Sequence, residues 1–337
     1  MNGDKENRIT DKAKLFTDAG YLFASVNYRL SPDISSGSPD FDADRVRFPN
    51  HPDDVARAVA WIADHAEAYG GDPDSILLIG HSAGAHLVSL VGTNPEFMKR
   101  VGVAPNQVIG VVSLDTATFD ISEDATPDGS IPGQRALLLW NAFGTPAEEA
   151  ANPGWNAASP LLHAGLNDPR HLFVTQAAKA NRIEANREMA AALGQDPDGV
   201  VTVPLDHAGI NAAVGAPGDP SGESAAILEF MGQRVAAHPP LRVSIRKRPG
   251  KRVRIGRKAR KRRVAFRFRA NRKPGRLKCR IDSRKFKRCH SPEHYRLRRG
   301  RHVFRVHAVY PSGRTSPERK VRFRIVAGIA ADAEVRP

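Results

Sequence analysis

Ser75-Ile-Leu-Leu-Ile-Gly-His-Ser-Ala-Gly-Ala-His-Leu-Val-Ser-Leu-Val-Gly92 decides how this chain is read. Four consecutive apolar residues, Ile76 to Ile79, predict a short strand buried on both faces. Gly80-His81-Ser82-Ala83-Gly84 then turns sharply into a helix carrying Leu87, Val88, Leu90 and Val91. A G-x-S-x-G pentapeptide fixes only three positions, but a strand before it and a helix behind it make a nucleophile elbow. Such a turn leaves no room for side chains two residues either side of Ser82, which is the steric reason for both glycines. It lifts the Ser82 hydroxyl above the sheet edge and aims the Ala83 backbone N–H at an oxyanion forming there.

Outward from the elbow, strands alternate with helices. Asp11 to Ala19 is helix-like and stops at Gly20; Tyr21 to Tyr28 reads as a strand, followed by a Ser/Pro/Gly/Asp-rich loop to about Asn50. His51 to Tyr69 has a proline and two acids in its first turn and Gly70-Gly71 after its end, the signature of a long amphipathic helix. Downstream come a strand at Val108–Leu114, a Trp-, Pro- and Gly-rich stretch from Trp140 to His163, and a strand at His171–Thr175. A helix from about Arg182 to Leu193, a strand at Val200–Pro204 and a helix from about Ser224 to Val235 complete the series. Alternation of this kind predicts a parallel sheet covered on both faces, a three-layer α/β domain.

Charge divides the 337-residue chain. Residues 241–337 hold 35 Lys+Arg and 5 Asp+Glu, a net +30, whereas residues 1–240 hold 16 and 31, a net −15. Two unlike domains are therefore expected: 1–236, a linker at 237–241 marked by Pro239-Pro240, a basic domain at 242–328, and a disordered tail at 329–337. No apolar run approaches the roughly 18 residues of a membrane-spanning helix. Met1-Asn2-Gly3-Asp4-Lys5 is polar, so no signal peptide is read in the chain as given.

Asn27-Tyr28-Arg29-Leu30-Ser31-Pro32, Pro52-Asp53-Asp54-Val55 to Trp61-Ile62, Gly70-Gly71-Asp72-Pro73 and Gly80 to Leu87 together resemble the α/β-hydrolase branch of feruloyl-esterase-like, kynurenine-formamidase-like and hormone-sensitive-lipase-like carboxylesterases. The resemblance covers about residues 3–236. It implies serine hydrolysis of a small ester, or an amide, through an acyl-enzyme on Ser82, with no cofactor and no metal. It also implies a base in the position of His207, on the loop after the last strand; His81, His86, His163 and His171 are less suitably placed. The family's usual aspartate after its seventh strand is missing. Asp115, at the end of Val108–Leu114, is the favoured acid; Glu184 is the alternative and Asp120 a weaker third. Trp140, Phe143, Trp155 and Pro160 lie where such enzymes build a cap over the substrate.

Ala83 supplies one oxyanion donor. The family's His-Gly-Gly-Gly-like loop and three upstream strands have no counterpart in the sequence, so the sheet is expected to lack one wing, with an open edge. The reading is of an N-terminally truncated domain, its signal peptide and glycine loop lying upstream of Met1. A non-catalytic surface or binding protein that keeps the fold is the alternative.

Beyond the linker, apolar and basic residues alternate, as in Val264-Ala-Phe-Arg-Phe-Arg-Ala270 and Lys320-Val-Arg-Phe-Arg-Ile-Val326; a period of two with short turns predicts a β-sandwich. Phe266 to Phe268, Cys279 to Asp282, Phe286 to Pro292 and Leu297 to Ala308 resemble bacterial immunoglobulin-like surface modules. That resemblance implies a disulfide between Cys279 and Cys289, and hence an oxidising, secreted or cell-surface location. The Arg/Lys run from Arg242 to Arg263 would bind polyanions at low salt, but no nucleic-acid-binding motif accompanies it. A solvated basic face with no dedicated partner is the first reading; where there is a partner, an acidic cell-wall or surface polymer is preferred over a specific nucleic acid.

Overall fold

The structure is a computed structural model, and it describes residues 4–6, 8–34, 41–125, 134–256, 259–271, 274–310 and 315–328. The tail expected at 329–337 lies outside the described residues. The chain divides into two compact units, Met1–Ala237 and His238–Pro337.

The first unit is built on a four-stranded parallel sheet of β1 (Ile76–His81), β2 (Val108–Leu114), β3 (Arg170–Gln176) and β4 (Val201–Val203), in that order. The helices that concern the site are α1 (Thr10–Asp18), α2 (Asn50–His65), α3 (Ala83–Thr93), α4 (Ala180–Ala192), α5 (His207–Ala213) and α6 (Glu223–Ala237). Every residue of β2 is buried, as its unbroken apolar run requires. β1 is less covered than its sequence predicts: Ile76 and Leu78 are buried, but Leu77 and Ile79 only partly, because β1 pairs with β2 alone and forms an edge of the sheet.

Residues 21–28 are a second departure, for they form no strand. Tyr21 and Phe23 pack against the core and Leu22 stays exposed, so the two-residue alternation is real. Among the described residues there is no neighbouring strand to close a hydrogen-bond ladder. The segment is held by side chains instead: the Lys5 N–H donates to Asn27 Oδ1 and the Ser25 hydroxyl to the Lys5 carbonyl. Just beyond it, the Arg29 guanidinium forks onto both carboxylate oxygens of Asp54 on α2, at 2.7 and 2.8 Å. The stretch 140–163, to which the sequence assigned no element, holds the end of the helix Gln134–Phe143 and the short helices Pro146–Ala151, Trp155–Ala158 and Pro160–His163. Trp140, Phe143 and Trp155 gather there around Ile121 and Phe48. Among the described residues no helix is long and apolar enough to cross a membrane.

At the start of α6, Glu223 is fully buried, and among the described residues neither carboxylate oxygen has a hydrogen-bond partner. Burial, then the charge of Asp219, pushes its carboxyl from 4.5 up to about 8, against the pull of Lys12. Between those two values the unfolded chain ionises while the native protein does not, so stability falls as pH rises through that window. The loss is at most about 1.4 kcal/mol per pH unit. Glu223→Gln is expected to raise Tm at pH 8, with the difference from wild type shrinking towards pH 5; a difference independent of pH would contradict this.

The second unit is all β. One sheet orders β10 (Glu293–Leu297), β7 (Arg262–Ala270) and β5 (Val243–Lys247); the other orders β6 (Arg252–Ile255), β12 (Arg319–Ala327), β11 (Gly300–Val309), β8 (Arg276–Ile281) and β9 (Lys287–Arg288). All pairs are antiparallel except β6 with β12. The run read as a continuous basic stretch thus holds two strands, β5 and β6, whose Val243 and Ile255 are buried. Inward residues of both sheets form one core, with Phe266 stacked on Phe304 at 3.9 Å between ring centres. Cys279 and Cys289 are bonded, their Cα atoms 5.7 Å apart. Closing so small a loop contributes roughly 2–3 kcal/mol by restricting the unfolded chain.

Candidate active site

Parallel pairing brings the functional groups together. The Ser82 N–H donates to the Leu114 carbonyl at 2.8 Å, and the Asp115 N–H to the Val174 carbonyl at 2.8 Å, so Ser82 and Asp115 leave the C-terminal ends of adjacent strands. Both do so with left-handed backbone, φ 57° at Ser82 and 53° at Asp115, a costly conformation for residues other than glycine. It turns each side chain out of the ladder and towards the strand ends.

Gly80 is why the elbow closes. A Cβ placed there would lie 2.2 Å from the Gly84 carbonyl oxygen. At Gly84 itself a Cβ would meet nothing within 4 Å, so the steric reason given for the second glycine does not hold; its carbonyl, not its missing side chain, fills the space at Gly80. Gly80→Ala is therefore expected to abolish function at this site, and Gly84→Ala to retain most of it, as judged by covalent labelling of Ser82 in soluble protein. Equal effects of the two would contradict this geometry.

His207 is the first residue of α5. Asp206 caps that helix, its Oδ1 accepting the Gly209 N–H at 2.6 Å, and so points away from the imidazole. His207 Nε2 lies 2.9 Å from Ser82 Oγ, and His207 Nδ1 lies 2.6 Å from Asp115 Oδ2. Asp115 is fully buried. Burial alone would push its carboxyl up, but hydrogen bonds from His207, Thr175 and Gln176 and the charge of Arg182 hold it well below the usual carboxylate range. Thr175 Oγ1 donates to Oδ1 at 2.7 Å and Gln176 Nε2 to Oδ2 at 2.7 Å. Arg182 Nη1 lies 3.2 Å from Oδ2, donates to the Asp115 carbonyl, and stands 3.5 Å from His207 Nδ1.

The other candidates lie elsewhere. Glu184 is exposed on α4, and Asp120 caps the short helix Ile121–Asp124. His86 is buried and pushed down to about 4 by that burial; His171 is buried and stacks on Phe173. His163 is 3.3 Å from Asn94 Nδ2. His81 does more than pack. Burial, then the neighbouring His207, lowers it to about 4, so it is neutral; its Nε2 donates to the His207 carbonyl at 2.8 Å, and its ring lies 4.4 Å from that of His207. Arg8 Nη1, just before α1, donates to the Ala208 carbonyl, and Lys12 Nζ on α1 to that of Asn211, so this segment also braces the histidine helix. The Ala83 N–H makes no hydrogen bond among the described residues and stands at the N-terminus of α3 beside Ser82.

Thr175, Gln176, Arg182 and His81 are contributions that sequence reading missed. A signal for the first two exists: a polar pair directly after the apolar run Leu172–Val174 has to find partners where it is buried. Among the described residues no group of three or more His, Cys, Asp or Glu side chains is placed to hold a metal ion.

Comparison with known proteins shows what the first unit resembles. The BD-FAE family model matches residues 1–116. Esterase LipQ of Mycobacterium tuberculosis (strain ATCC 25618 / H37Rv) is 41% identical over 197 residues, 55% of this chain and 41% of that protein. The probable carboxylic ester hydrolase LipM of the same organism is 37% identical over 94 residues, 28% of this chain and 19% of that protein. The chain thus spans less than half the length of either curated relative. Among solved structures, a bifunctional GH43-CE protein of Bacteroides eggerthii superimposes with a TM-score of 0.51 at 19% identity, over 69% of this chain and 32% of that one. With its parallel sheet, its strand-to-helix elbow and this structural neighbour, the first unit of this chain has the α/β-hydrolase fold, and in sequence it is similar to proteins named as esterases.

Proposed function

We propose that residues 1–237 hydrolyse a small-molecule carboxylic ester through an acyl-enzyme on Ser82. The observation that carries this reading is the unbroken chain Ser82 Oγ, His207 Nε2, His207 Nδ1, Asp115 Oδ2, with contacts of 2.9 and 2.6 Å. His207 takes the Ser82 proton as Oγ attacks the ester carbonyl, and the carbonyl oxygen becomes an oxyanion facing the Ala83 N–H. Asp115, acceptor-only while ionised, keeps the proton on Nδ1 and stabilises the imidazolium. His207 then gives its proton to the departing alcohol as the C–O bond breaks. Water, deprotonated by His207, attacks the acyl-Ser82 carbonyl; the acid leaves and Ser82 recovers its proton.

Excess p-nitrophenyl acetate tests the reaction class. The expected result is turnover above the buffer rate, with a burst of p-nitrophenol equal to the enzyme present when deacylation limits the rate. No release from folded protein would contradict the reading. For the second unit, the disulfide supports a secreted or cell-surface location, and the charge of +30 beyond residue 240 supports attachment to an acidic polymer.

A further inference from the structure

The outer face of the five-stranded sheet carries its cations in transverse rows. Pairing aligns Arg252 with Arg324 and Arg324 with Arg301, so three arginines lie side by side across β6, β12 and β11. Further along the sheet Lys320 faces Arg305, and Arg305 faces Arg280, across β12, β11 and β8. The alternate residues Phe323, Phe304 and Ile281 fill the core, which fixes these cations on the opposite face. Like charges directly opposite each other weaken a ladder, and a face that met only water would be better served by mixed signs.

The second row shows what answers such a row. The Glu318 carboxylate lies 3.5 Å from Arg305 Nε, 3.9 Å from Arg280 and 4.0 Å from Lys320, one carboxylate shared by three cations. The first row has the same build. Its three arginines are exposed, and none has an ion pair among the described residues.

We propose that this face docks a linear carboxylate-bearing polymer, an acidic polysaccharide of the polyuronate class, whose carboxylates take in the Arg252–Arg324–Arg301 row the place that Glu318 takes in the Lys320–Arg305–Arg280 row. The guanidinium fork matches a carboxylate with two parallel hydrogen bonds, and neighbouring strands repeat it about 4.8 Å apart. Among the described residues of this face, bases of a nucleic acid find no platform: Phe304 and Phe323 face the core, and Phe286 is covered by Arg280, at 4.5 Å, and by His307. The proposal rests on the reading of the basic unit as an attachment module, and not on the chemistry of Ser82.

The test is calorimetric titration of the full chain with polygalacturonate at about 0.15 M NaCl, beside neutral dextran and double-stranded DNA. Wild type is expected to bind polygalacturonate, not dextran, and DNA more weakly. Arg252→Gln/Arg301→Gln/Arg324→Gln is expected to weaken binding about tenfold or more, while Arg263→Gln/Arg267→Gln/Arg269→Gln, which removes equal charge from the other sheet, weakens it less than about threefold. Arg324→Gln alone, at the centre of the row, gives an intermediate loss and serves if the triple variant does not fold. Absence of binding, equal weakening by the two triple variants, or tighter binding of DNA overturns the proposal. Ester hydrolysis is followed in the same samples, so failure of the docking surface and failure of the esterase reading are told apart.

Discussion

Asp115→Asn is expected to leave the first unit folded and to lower kcat/KM for a carboxylic ester by about 10⁴-fold. The carboxylate accepts from Thr175, Gln176 and His207 at once, and an amide oxygen in the Oδ1 position can still accept from the Thr175 hydroxyl and the Gln176 backbone N–H, while the Gln176 side-chain amide loses its partner at Oδ2. What the amide cannot do is hold the proton on His207 Nδ1. Its NH₂ group favours the tautomer with an unprotonated Nδ1, which leaves Nε2–H facing Ser82 and no base within reach. Glu184→Gln, by contrast, changes an exposed residue of α4 and is expected to alter kcat/KM by less than about twofold. Steady-state kinetics of the two variants, with circular dichroism as a control on folding, separates the two acids. A large loss in the Glu184 variant beside an active Asp115 variant would reassign the acid.

Phe266→Ala is expected to cost the second unit about 3–5 kcal/mol. The ring is fully buried, stacked 3.9 Å from Phe304 and edge-on to Phe323 at 5.7 Å, so removing it opens a cavity where both sheets meet. At about 4–8 °C per kcal/mol for a domain of this size, Tm of the second unit falls by well over about 10 °C. Phe286→Ala, at a half-buried ring against Arg280 and His307 outside that core, is expected to cost only about 1 kcal/mol. Hydrogen exchange of β7 and β11 amides in the intact chain measures both, and equal costs would place the centre of the core elsewhere.

How far the sequence carried the reading depended on the range of the interactions involved. The elbow was legible because its causes are local: an apolar run, Gly80, and a helix starting at once behind Ser82. The same holds for the β-rich second unit, where the two-residue alternation survives even amid arginine. At Val243 to Ile255, however, charge masked the alternation, and two strands went unread. Tyr21 to Tyr28 failed for the complementary reason: alternation specifies a buried face, but a strand also needs a partner, and pairing is not local. The acid could be ranked by position alone. Its holders, Thr175, Gln176 and Arg182, stand 60, 61 and 67 residues away in the chain and meet it only through the order of β2, β3 and α4.

The most direct test of the central claim is to label the full chain with a fluorophosphonate and map the modified peptide, beside Ser82→Ala. The account predicts a single modification at Ser82 that is absent from the variant. Folded wild-type protein that takes up no label, or takes it up equally in the variant, would contradict it.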